Sequence, residues 1–162
     1  MKIGFIGGGV MAEAIMKGIL DVSLVKPENL FVSDLDSQRL EYLNKTLNVF
    51  GVESNIEVVN KSDIVISRAG AGTINDIIKF QVPSILIPLP HSIYNHQFLN
   101  AKYLLDKKAA ILIEENEWNL DKAYLIFKDL CENVILRESL VKNLQSIKIL
   151  DANRLMFDKI TK

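Results

Sequence analysis

Two small-residue loops in this 162-residue chain have the composition needed to meet phosphate groups. The first is Gly7-Gly8-Gly9-Val10-Met11-Ala12, which follows a short apolar run and opens a helical pattern. Its spacing is G-x-G-x-x-A. Gly7 allows a tight turn, Gly9 lets backbone approach a pyrophosphate, and Ala12 lets the following helix pack on its strand. The second loop, Ser67-Arg68-Ala69-Gly70-Ala71-Gly72-Thr73, follows another apolar run and opens another helical pattern. A helix N-terminus in such a setting offers unpaired N–H groups and the positive end of its dipole to an anion. Asp34 ends the second apolar run. A carboxylate there can accept from a ribose 2′-hydroxyl and repels a 2′-phosphate, so the first loop predicts a site for NAD in preference to NADP. The alternative is that these glycines serve strand–helix packing alone and Asp34 caps a turn.

The elements that must position these loops follow from hydrophobic period. Continuous apolar runs over residues 2–6, 30–33, 49–52, 64–66, 84–87 and 110–113 predict six short strands. Between them lie segments of helical spacing. One starts at Met11. A second is capped by Asp36 or Ser37 and buries Leu40, Leu43 and Leu47. A third covers residues 55–61. A fourth covers 73–80 with Ile74, Ile77 and Ile78 inward. A fifth, over 95–105, carries Phe98, Ala101 and Leu105. A sixth is capped by Asn119 and carries Ala123, Phe127, Leu130 and Val134; residues 137–160 read as largely helical with a break near Ser146. Strands that are apolar throughout are buried on both faces. The chain therefore predicts an α/β fold: a Rossmann-like, doubly wound parallel sheet of about six strands flanked by helices, in the order 3-2-1-4-5-6. One domain over residues 1–162 is expected, since no linker or low-complexity segment interrupts the pattern.

Composition narrows the partners. Hydrophobic residues are 49%, charged residues 24% and the net charge is −1, a globular balance with no basic footprint for nucleic acid or an acidic membrane. No stretch is long enough to span a bilayer, and the apolar N-terminal run is too short for a signal peptide. Cys131 is the only cysteine, so a reducing, cytoplasmic setting and a buried structural thiol are expected. The two histidines have no carboxylate or thiolate cluster beside them, so no metal site is predicted. No protein partner is implied.

Two resemblances divide the chain. MKIGFIGGGVMAEAIMKGIL, with its Met-Ala-Glu-Ala run at Met11, resembles the NAD(P)-binding domain of pyrroline-5-carboxylate reductase, and FVSDLDSQRLEYL and SNIEVVNKSDIVI extend the likeness to Ile66. From Ser62 onward, SDIVISRAGAGTINDIIKFQVPSILIPLPHSIYNHQFLNAKYL resembles the UDP-N-acetylglucosamine-binding C-terminal domain of the MurG family of peptidoglycan glycosyltransferases. Its signature is the Ser-Arg-Ala-Gly-Ala run, an acid in the next helix, Pro83, Pro88, His91, Asn95-His96-Gln97 and Asn100-Ala101.

The second resemblance implies nucleotide-sugar contacts for Arg68, Gly70, Ala71, Gly72, Thr73, Asp76, His91, Gln97 and Asn100. Their chemistry agrees. The N–H groups over Gly70–Thr73 can hold a diphosphate, Asp76 can accept from ribose, and Gln97 and Asn100 can pair with sugar hydroxyls. Asp76 stands where that family usually has glutamate. His91 falls after the fifth strand, at the carboxyl edge where such sheets bind ligands. The bland alternatives are a solvated Arg68 at the sheet edge and ordinary loop histidines at His91 and His96. Because the two likenesses meet inside one strand, the expectation is an engineered or recombined chimera. A reductase-like half (1–66) would join a MurG-like half (67–162) in a domain with no complete active site and no catalytic residue. Weak NAD(H) or UDP-N-acetylglucosamine binding is the second expectation, and a natural reductase or N-acetylglucosaminyltransferase the third.

Overall fold

A computed structural model of the chain describes residues 1–90, 92–117 and 119–148. Six parallel strands, β1 (Ile3–Ile6), β2 (Leu30–Ser33), β3 (Phe50–Val52), β4 (Ile64–Ser67), β5 (Ser84–Leu86) and β6 (Ile111–Leu112), form one sheet in the order β3-β2-β1-β4-β5-β6. This is the predicted Rossmann-like order. β1 lies at the centre, with Ile3 opposite Leu30 on one side and opposite Ile64 on the other.

The helices are α1 (Val10–Asp21), α2 (Ser37–Leu47), α3 (Asn55–Lys61), α4 (Ala71–Phe80), α5 (His96–Asp106), α6 (Leu120–Glu132) and α7 (Val134–Gln145). Successive strand residues point to opposite faces, and each face is apolar. Ile3, Phe5, Val32, Ile64, Ile66 and Ile85 pack against α1, α2 and α6 through Ile15, Met16, Leu43, Phe127 and Leu130. Phe31, Val65 and Leu86 pack on the other side against α3, α4 and α5 through Val58, Ile74, Ile77, Ala101 and Leu104. Each fully buried aliphatic side chain contributes about 1.5–3 kcal/mol relative to exposure, so both helical layers are needed to hold the sheet. α7 serves both faces, with Leu140 in the first cluster and Leu144 in the second.

Three expectations shift in detail. Val134 does not continue the inner stripe of α6: Asn133 ends that helix and caps α7 through Leu136 N–H, which leaves Val134 exposed. α5, which starts at His96, buries Leu104 instead of Leu105: Ala101 and Leu104, three residues apart, share the face that packs on the sheet. The helix expected over 137–160 begins earlier and ends at Gln145, just before Ser146; residues 149–162 lie outside the described residues. Cys131 is partly buried against the first cluster, and desolvation pushes its thiol pKa up, which keeps it protonated and unreactive. Among the described residues no helix is long and apolar enough to cross a membrane.

Candidate functional site

Neighbouring strands β1 and β4 are where the chain order reverses across the sheet, and ligands of such folds bind outside the carboxyl ends of the strands at that point. Both glycine loops leave from there. Gly9 is the N-cap of α1 and Gly70 the N-cap of α4, and neither helix has a side-chain cap. By contrast, Asp36, Ser54, Asn119 and Asn133 cap α2, α3, α6 and α7. The first bond within α1 is made by Glu13 N–H to Gly9 C=O, and within α4 by Ile74 N–H to Gly70 C=O. The N–H groups of Val10, Met11 and Ala12, and of Ala71, Gly72 and Thr73, therefore precede both hydrogen-bond ladders.

The two loops line two adjoining depressions. A cleft of about 530 Å³ is lined by Gly7, Asp34, Arg68, Gly70, Thr73 and Gln97, among others. A second depression of about 520 Å³ adjoins it, lined by Gly7, Gly9, Val10, Met11, Ala12, Arg68 and Glu115. Gly7 has φ of 93°, a left-handed conformation that favours glycine. Gly9 and Gly72 have ordinary φ, and a Cβ at either would meet no heavy atom within 4 Å. Among the described residues nothing packs against these two positions, so their missing side chains keep space open at the helix starts.

The polar side chains are partly committed to the protein. Arg68 donates from Nη1 to Glu115 Oε2 at 2.7 Å and to the carbonyls of Ile87 and Pro88 at 3.2 and 3.3 Å. It is a tethered charge, unlike the solvated one of the bland alternative. Gln97 Oε1 accepts from Leu89 N–H at 2.9 Å while the residue lines the cleft. Asn100 donates to Ala69 C=O at 3.0 Å, which holds the second loop to α5. Asp76 is half-buried on α4 and is not among the residues lining the cleft. His91 lies outside the described residues. Asp34 Oδ2 accepts from Gly8 N–H at 2.7 Å and Oδ1 from Asp36 N–H at 3.0 Å.

Sequence reasoning missed Glu115, Asn55 and Arg39. Glu115 follows β6 at the carboxyl edge, and the rule that singled out His91 could have found it. Asn55 opens α3, lines the cleft and accepts from Ser33 Oγ at 2.8 Å. Arg39 donates from Nε to Gly8 C=O at 2.5 Å and from Nη2 to Glu13 Oε2 at 2.5 Å. No local motif signals that contact. Among the described residues no group of three or more His, Cys, Asp or Glu side chains is arranged to hold a metal ion.

Comparison with known proteins bears on the expected seam. Residues 5–130 match the model of the glycosyltransferase family 28 C-terminal domain. The chain is 35% identical, over 98% of its own length and 49% of the relative's, to the UDP-N-acetylglucosamine--N-acetylmuramyl-(pentapeptide) pyrophosphoryl-undecaprenol N-acetylglucosamine transferase of Campylobacter fetus. The crystal structure of Acinetobacter baumannii MurG superposes with a TM-score of 0.73 at 24% identity, covering 99% of this chain and 49% of that one. A pyrroline-5-carboxylate reductase from Coxiella burnetii superposes with a TM-score of 0.54 at 16% identity, over 86% of this chain and 56% of that one. The reductase likeness is thus one of fold, and it is not confined to residues 1–66.

The chimera expectation is corrected by these findings. One family match and one relative extend across β4, where the two halves were expected to meet. The first glycine loop lies inside the family match. The error has a physical source: a strand, a glycine turn and an uncapped helix are one solution to phosphate binding, so unrelated families write similar residues there. The chain spans about half the length of the relatives compared here. With its six-stranded Rossmann-like sheet and a family match that covers most of its length, the chain belongs to the glycosyltransferase family 28 C-terminal domain family.

Proposed function

We propose that this chain is the donor-binding half of an N-acetylglucosaminyltransferase and that its carboxyl-edge cleft takes UDP-N-acetylglucosamine for peptidoglycan synthesis. The observation that carries the reading is a pair of adjoining depressions that share Gly7 and Arg68, one reaching Gly70 and Thr73 and the other reaching Gly9 to Ala12. Two uncapped helix starts supply N–H groups suited to a diphosphate, at Val10, Met11 and Ala12 and at Ala71, Gly72 and Thr73. Arg68 adds a cation beside them. Gln97 contributes an amide for sugar hydroxyls, and Asp76 and His91 are carried as contacts by resemblance. The chain's residues bind and orient the donor in this reading, and none is assigned as general base. Support comes also from the Campylobacter relative, which is named as an N-acetylglucosamine transferase.

The NAD expectation forms the second arm of the same test. It rests on Gly7, Gly9 and Ala12, while both oxygens of its ribose acceptor, Asp34, already accept backbone N–H groups. Thermal unfolding is followed with UDP-N-acetylglucosamine and, separately, NADH. A ligand at a hundred times its dissociation constant adds about 2.7 kcal/mol, which raises the midpoint by roughly 5–10 °C at this chain length. We expect that rise with the nucleotide sugar and none with NADH. A rise with NADH alone, or none with millimolar nucleotide sugar, overturns the proposal.

A further inference from the structure

We infer that Asp34 and Arg39 are positioning residues that clamp Gly8 by its two flanking peptide groups, Asp34 on the N–H of Gly7–Gly8 and Arg39 on the carbonyl of Gly8–Gly9, and so set how the N-terminus of α1 faces the cleft; the inference rests on the nucleotide-sugar reading. Asp34 Oδ2 accepts from Gly8 N–H at 2.7 Å, and Arg39 Nε donates to Gly8 C=O at 2.5 Å. Donor and acceptor both come from the β2–α2 junction. That junction is itself braced: Asp34 Oδ1 accepts from Asp36 N–H, and Asp36 Oδ1 accepts from the N–H groups of Gln38 and Arg39.

The clamp is tied back to α1. Arg39 Nη2 pairs with Glu13 in the first turn of that helix at 2.5 Å, and the guanidinium lies 5.0 Å from the centre of the Tyr42 ring. Lys17 and Tyr42 also donate to Glu13, at 2.6 and 3.2 Å. Gly8 has little room to shift, since a Cβ there would lie 2.9 Å from Leu43 Cδ1. Gly7 N–H donates to Ser33 C=O at 2.8 Å, fixing the preceding peptide. A glycine peptide without such partners can rotate and turn its carbonyl oxygen toward an anion, which would repel a phosphate. Holding the carbonyl on Arg39 removes that option before the ligand arrives, and preorganisation of this kind strengthens binding without adding a contact. Asp34 on this account is part of the loop's scaffold and not a ribose acceptor.

Two measurements test the clamp. In the unliganded protein, Gly8 N–H should exchange with solvent more than tenfold slower than the uncapped Val10 and Met11 amides. Asp34→Ala should abolish that protection, and Asp34→Asn, which keeps an acceptor oxygen, should restore part of it. In calorimetric titrations, Arg39→Ala should weaken UDP and UDP-N-acetylglucosamine about tenfold and leave uridine, which has no phosphate, unchanged. Arg39→Lys keeps the charge beside Glu13 but loses the Nε–H, and serves if the alanine variant does not fold. Equal weakening of uridine and UDP, unchanged UDP binding, or a Gly8 amide that exchanges as fast as its uncapped neighbours overturns the inference. Wild-type protein that fails to bind UDP sinks the nucleotide-sugar reading instead, and Gly8 exchange then decides the clamp alone.

Discussion

Arg68 and Glu115 form an ion pair, Nη1 to Oε2 at 2.7 Å, that joins the end of β4 to the turn beyond β6 across the flank of the cleft. Both side chains are partly exposed, at 28% and 39%, so the pair is worth at most about 1 kcal/mol. Its interest is competition. Arg68 lines both adjoining depressions, and a bound diphosphate would have to share it with Glu115. Glu115→Gln should therefore tighten UDP binding about three- to fivefold at low ionic strength. The gain should fade in high salt, as expected for a screened charge. Titration calorimetry at two salt concentrations checks this. Unchanged or weaker binding would mean that Glu115 holds Arg68 in place without competing for it.

Much of this fold is readable from the chain. All six strands, the order of the sheet and the caps at Asp36 and Asn119 follow from apolar runs and from short polar residues beside helical patterns. Both glycine loops are readable for the same reason, since their conformational demands are local. What the sequence hides is how the loops combine. Gly7 and Gly70 are far apart in sequence and line one recess only because β1 and β4 pair directly. Arg39 meets Gly8 only because α2 packs beside α1, and its charge pattern in sequence is that of an ordinary surface arginine. Tyr94 and Asn95 both adopt left-handed conformations, with φ of 49° and 56°, just before α5. Such strain at a bulky residue is a tertiary outcome that no local preference predicts.

Glu13 gives the fold an acid-sensitive element. Its carboxyl is held down to about 2 from an ordinary 4.5, chiefly by the hydrogen bond from Lys17 and next by that from Arg39. A carboxylate whose folded pKa is depressed stabilises the fold fully above its unfolded pKa. That contribution is lost as pH falls through the folded value. The wild-type protein should therefore lose stability between pH 4.5 and pH 2 more steeply than Glu13→Gln. At neutral pH the variant should be less stable by about 1 kcal/mol, the upper range for a solvent-screened pair. Urea unfolding across that pH range provides the test, and parallel curves for the two proteins would contradict it.

Gly4 lets β1 lie close against α3 and the residue that ends it, Ser62. A Cβ there would fall 2.4 Å from Val58 Cγ1 and 2.3 Å from Ser62 Oγ. Val58 is fully buried and β-branched, so it has little freedom to withdraw. Gly4→Ala should cost about 1–3 kcal/mol through overpacking, lowering the unfolding midpoint by several degrees. Because β1 leads directly into Gly7, ligand affinity should fall as well if the strand shifts. A variant as stable as the wild type would show that α3 can move away at no cost.

Gly72 separates stability from binding. It is the second residue of α4, its φ is ordinary, and a Cβ would meet no heavy atom within 4 Å. Judged by the fold alone, glycine is the wrong choice: alanine in a helix is favoured by about 0.5–1 kcal/mol. Gly72→Ala should accordingly raise the unfolding midpoint by about 1–4 °C. If the space beside Gly72 admits the diphosphate, the added methyl group should also weaken UDP-N-acetylglucosamine by about tenfold, or about 1.4 kcal/mol. The pairing of the two effects is the informative result, since general damage to the fold would lower stability and affinity together. A variant that is more stable and binds as tightly as the wild type would move the ligand's phosphates away from α4 and toward the first glycine loop.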